Sequence, residues 1–131
     1  MNGFHHLGLS TALIYDARCG IGNYSPLFNP MTYKPHKAYY ALKCFNELYR
    51  LKTEVKSCSD DPNVYVMAAG GEANGAVLVA NISKNAVPFA PDLGGRKVRS
   101  CRITDATRTD AAIPMPSELP PHAFVLLQVG K

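Results

Sequence analysis

Pro35-His36-Lys37-Ala38-Tyr39-Tyr40-Ala41-Leu42-Lys43-Cys44-Phe45-Asn46-Glu47-Leu48-Tyr49-Arg50-Leu51 is the stretch on which the fold turns. Its apolar members Ala38, Ala41, Leu42, Phe45, Leu48 and Tyr49 recur at spacings of three and four, the period of an amphipathic helix. Lys37, Lys43, Asn46, Glu47 and Arg50 lie mostly off that stripe, so the stripe is read as core. Pro35 is expected in the first turn, where its missing N–H would have had no partner. Upstream, the apolar run Ala12-Leu13-Ile14-Tyr15-Asp16-Ala17-Arg18 reads as a strand ending in charges. Together, residues 11–52 make one βα unit. A lone βα unit has no parallel neighbour for its strand and no sheet for its helix, which points to the last piece of a larger α/β domain.

Past Thr53-Glu54-Val55 the period changes to two. Val64 to Ala69 and Ala76 to Ile82 flank Gly70-Gly71 and an Asn74-Gly75 pair, the chemistry of a hairpin turn. Further strands are expected over 87–93, 98–106, 111–115 and 123–129, separated by Gly94-Gly95, Thr109-Asp110 and Pro120-Pro121. Short strands at intervals of roughly ten residues indicate an antiparallel sandwich. Pro88, Pro91, Pro114 and Pro116 belong at edges or bends, because proline cannot donate to a ladder. The fold class is therefore mainly β: an antiparallel β-sandwich preceded by one βα unit, with residues 1–56 forming the strand-loop-helix unit and 57–131 the sandwich.

Composition narrows the function. A chain of 131 residues can bury a real core but is too short for a complete eight-stranded α/β barrel of about 250 residues. Its net charge of +4 is mild and its fourteen Lys and Arg are scattered, so no nucleic-acid partner is expected. No apolar run reaches the roughly 18 residues of a membrane span, and Met1 to His6 lacks the basic start of a signal peptide. Cys19, Cys44, Cys58 and Cys101 match no zinc template; Cys44 and Cys101 read as buried thiols within a helix and a strand. The adjacent pair His5-His6 cannot chelate from one face, and Gly20-Ile21-Gly22 lacks the rest of a phosphate-binding fingerprint. No metal and no cofactor is expected. Asn23-Tyr24-Ser25 and Asn81-Ile82-Ser83 match the glycosylation sequon.

These residues carry a family resemblance. Leu13-Ile14-Tyr15-Asp16-Ala17-Arg18, Asn23-Tyr24-Ser25-Pro26-Leu27-Phe28 and the helix from Pro35 to Leu51 resemble the closing strand and helix of TIM-barrel glycoside hydrolases of the β-xylosidase (family 39) type. The chain beyond the helix, including Cys101-Arg102-Ile103-Thr104-Asp105-Ala106-Thr107-Arg108 and the finish from Leu119 to Val129, is similar to that family's C-terminal β-sandwich. Leu51-Lys52 stands where the family pattern has Leu-Gly, leaving the helix stop without its usual residue.

The resemblance implies a non-catalytic C-terminal region whose sandwich packs on a catalytic barrel. Retaining glycosidases need two carboxyl groups about 5 Å apart. In the family these are glutamates on barrel strands four and seven, and this chain holds neither strand. Glu47, Glu54, Glu72 and Glu118 fall on the helix or in turns, so no catalytic residue is assigned and the chain alone is expected to be inactive. Asp16 and Arg18 would occupy the C-terminal end of strand eight, with Asn23 and Tyr24 in the loop after it, the rim where barrel sites gather. A carboxylate there accepts sugar hydroxyls and a tyrosine stacks on a ring; an Asp16–Arg18 ion pair is the plainer alternative. The expected partner is the remainder of the barrel or a second copy of the chain. The other reading is a free-standing module for carbohydrate or protein; no Trp is present and Tyr65 is the only tyrosine past the helix, which weighs against a sugar platform. No signal peptide marks this chain, although a parent glycosidase is compatible with export.

Overall fold

The computed structural model describes residues 27–131. Helix α1 (Lys37–Arg50) is followed by β1 (Glu54–Val55), β2 (Val64–Gly70), β3 (Asn74–Asn81), β4 (Val87–Pro88), β5 (Lys97–Thr104), β6 (Ala111–Ile113), β7 (Glu118–Leu119) and β8 (Phe124–Gly130). The expected strand over residues 11–18 lies outside the described residues.

Six strands form one sheet in the order β1-β2-β3-β8-β5-β6, antiparallel throughout, and β4 pairs with β7 in a separate two-stranded ribbon. The last strand, β8, inserts between β3 and β5; its run Val125, Leu126, Leu127 is buried on both faces, and Gln128 is its exposed residue. Register assigns the faces. Val66 opposes Val79, Val79 opposes Val125 and Val125 opposes Ile103. These residues, with Cys101, Leu127 and Val129, make the core beneath the β4–β7 ribbon, which adds Phe89 and Leu119. The opposite face carries Met67, Ala69, Ala76, Leu78, Phe124 and Leu126, and α1 lies on it through Cys44, Leu48 and Leu51. Helix and sheet thus share a core, and β1 carries the ladder back to Glu54.

Several local expectations shift. Pro35 precedes the helix and bridges to Phe28, while His36 is the N-cap and makes no side-chain cap bond. The buried helix residues are Cys44 and Leu48, so the packed face is turned from the stripe centred on Phe45 and Leu42. Lys52 takes the left-handed position past the C-cap (φ 66°) that glycine usually fills, and its backbone N–H donates to Tyr49 O at 3.2 Å. The expected strand over 87–93 shrinks to Val87–Pro88, because Pro88 and Pro91 withhold ladder donors.

The hairpin turn also moves. Asn74 and Gly75 lie inside β3, pairing out to Gly70↔Gly75, and the chain reverses over Gly71-Glu72-Ala73. The reason is a close approach: a Cβ on Gly70 would sit 2.6 Å from the Gly75 Cα and 2.7 Å from the Asn74 carbonyl oxygen. Both obstacles are backbone and cannot swing away. Gly70→Ala should therefore open the end of the β2–β3 ladder and cost about 2–3 kcal/mol in a denaturant titration. A loss below about 0.5 kcal/mol would show that the two strands can part freely there.

Candidate functional site

Asp16, Arg18, Asn23 and Tyr24, the residues assigned to a sugar-contacting rim, lie outside the described residues. Within them, polar side chains converge on the seam where α1 meets β5 and β8. Glu47 points from the helix to Arg102, with which it forms an ion pair, and its other carboxylate oxygen accepts from Gln128 Nε2 at 3.2 Å. Arg102 also reaches Asp110, at 3.3 Å between Nη1 and Oδ1, and Lys43 Nζ meets Asp110 Oδ2 at 2.6 Å. Two cations and two carboxylates alternate along the helix edge. At its first turn, Lys37 donates its ammonium to the carbonyls of Asp105 and of Ala106, the latter at 2.6 Å. The helix is docked by an apolar centre and tied along one flank by charge.

Electrostatics show what the seam can do. Burial works against the charge of Arg102, but the hydrogen bond and field of Glu47, with Asp110, outweigh it and keep the guanidinium more firmly protonated than usual. The hydrogen bond to Asp110 raises the Lys43 pKa likewise. Cys44 sits among these groups, yet burial pushes its thiol up to about 11. Burial also raises Cys101. Both thiols stay protonated at neutral pH and have no thiolate to offer as nucleophile. Every acid in the seam is engaged by a base, and the arrangement serves docking rather than proton transfer.

The loop after β5 has its own clamp. Asp105 is buried, and its carboxylate accepts from the backbone N–H of Thr107 at 2.9 Å and of Arg108 at 2.7 Å, with Arg108 Nε at 2.7 Å. Burial alone would raise its pKa; the Arg108 side chain and the backbone N–H groups overturn that and hold it far below the carboxylate range. A depressed folded-state pKa contributes stability that is complete above the unfolded value near 3.9 and is lost as pH falls toward the folded one. Stability should be flat from about pH 7 to about 5 and fall below about 4. Asp105→Asn should flatten that acid limb when unfolding is titrated at about pH 3 and about pH 6. An unchanged acid slope in the variant would place the titration elsewhere.

A second surface lies on the neighbouring flank of the helix. Leu42 and Phe45 are half-buried and Tyr49 is 62% exposed. Beside them a cleft of about 270 Å³ runs down to the open edge of β2, lined by Phe45, Leu48, Tyr49, Val66 and Met67 with Lys52 and Glu54 at its rim. α1 therefore carries two apolar faces, one on the sheet and one that the described residues only partly cover. The stripe visible in the sequence is divided, with Leu48 on the sheet and Leu42, Phe45 and Tyr49 on this second face; the charged seam was invisible in the sequence, because Lys43 and Glu47 meet partners more than fifty positions away.

The sequon at Asn81 is closed. The Asn81 side chain is enclosed, donating to Asn85 O at 2.8 Å, Leu119 O at 3.1 Å and Pro120 O at 3.0 Å, and accepting from Ser83 N at 2.9 Å. Among the described residues no group of three His, Cys, Asp or Glu could hold a metal ion, and no helix is long and apolar enough to cross a membrane.

No family model and no curated protein matches the chain. Solved structures do match. The fold is similar to that of a GH30 endoxylanase from Clostridium papyrosolvens C71, with a TM-score of 0.63 and 21% identity over 79% of this chain and 30% of that one. It is also similar to Xyn30A, a glycoside hydrolase family 30 subfamily 8 xylanase from Clostridium acetobutylicum, with a TM-score of 0.64 and 18% identity over 81% of this chain and 31% of that one. The shared architecture is the C-terminal β-sandwich region of such enzymes. The chain spans less than a third of the length of the structures it matches. They belong to family 30 rather than the family 39 of the sequence resemblance.

Proposed function

We propose that this chain is a non-catalytic C-terminal portion of a glycoside hydrolase, a β-sandwich that packs on and stabilises a catalytic barrel. In this reading residues 1–56 are the closing unit of the barrel and 57–131 the sandwich. Asp16, Arg18, Asn23 and Tyr24 sit at the rim of the parent site. The two-faced helix carries the proposal. A helix on the surface of a finished domain needs one apolar stripe, whereas a helix shared by two layers needs two. In α1, Cys44, Leu48 and Leu51 serve the sandwich, leaving Leu42, Phe45 and Tyr49 for a second layer. The fold likeness to xylanases of which the matched region covers 30% and 31% supports a barrel as that layer.

The test separates the two faces. Replacing Leu42 and Tyr49 together by Lys should change unfolding free energy by less than about 1 kcal/mol. The same pair should abolish concentration-dependent association of the free chain in sedimentation. The wild-type chain should show only background turnover of xylan and aryl xylosides. A collapse of stability in the double variant would mean that this face belongs to the unit's own core, and turnover lost on changing one acid would sink the non-catalytic reading.

A further inference from the structure

We draw no further inference here: the strongest candidate, the groove over β2 and β3 on the sheet face opposite the helix, is an apolar surface, and nothing in the structure shows what covers it.

Discussion

Asn81→Ala is expected to cost about 3–4 kcal/mol and to lower the midpoint of thermal unfolding by roughly 10 °C or more. The side chain is 1% exposed at the end of β3, and it donates to carbonyl oxygens of the 81–85 turn, the end of β7 and the turn before β8. Alanine removes the donors; the Asn85 and Pro120 oxygens keep Ser83 Oγ and the Ala123 N–H, so the loss falls mainly on the buried Leu119 carbonyl and on the Ser83 N–H, at about 1–3 kcal/mol for each group left unpaired. Relaxation of the turn and entry of water recover part of the sum. Ile82→Ala, next in sequence but about half exposed, should change stability by less than about 0.5 kcal/mol. If the two variants unfold alike, Asn81 is not the tie that holds the ribbon to the sheet.

Leu126→Ala should cost about 3–5 kcal/mol. Leu126 is fully enclosed in the middle of β8, flanked by Leu78 of β3 and Arg102 of β5, and it belongs to the cluster that receives Cys44 and Leu48 of the helix. Its neighbours belong to a paired sheet and cannot collapse into the space, so a cavity forms directly under α1. The helix should then lose amide hydrogen-exchange protection before the sheet does, because the charged seam alone is worth too little to hold it. Simultaneous loss of protection in helix and sheet would show one indivisible unit instead.

Much of the architecture was legible in the chain. The helix from 37 to 50 announced itself by spacing, and the strands β2, β3, β5 and β8 by alternation and by Gly and Pro punctuation. Burial of Cys44 and Cys101 followed from their places within those elements. The antiparallel sandwich class stands. The two-residue strands β1 and β7 were not legible, since two residues carry no period. The Asn74-Gly75 turn was misplaced because its chemistry fits a tight hairpin, whereas the fold uses Gly75 to let β2 and β3 approach and turns over residues 71–73 instead. The assigned rim residues Asp16, Arg18, Asn23 and Tyr24 stand as a proposal, and the docking seam had no local signature.

What the sequence determined by itself was periodicity: one helix, several short strands and an apolar stripe at 38, 41, 42, 45, 48 and 49. These depend on residues within a few positions of each other, where backbone geometry sets which side chains share a face. Only the tertiary structure decided which face of the helix the sandwich takes. Cys44 and Leu48 pack on the sheet with Ala69, Ala76 and Leu126, and the Glu47–Arg102–Asp110–Lys43 chain of charges ties the flank beside them, with Tyr49 left exposed. The helix members of that charge chain and their partners lie more than fifty positions apart. They meet only once β8 has inserted between β3 and β5, so the contact is a property of the assembled sheet and of no single segment.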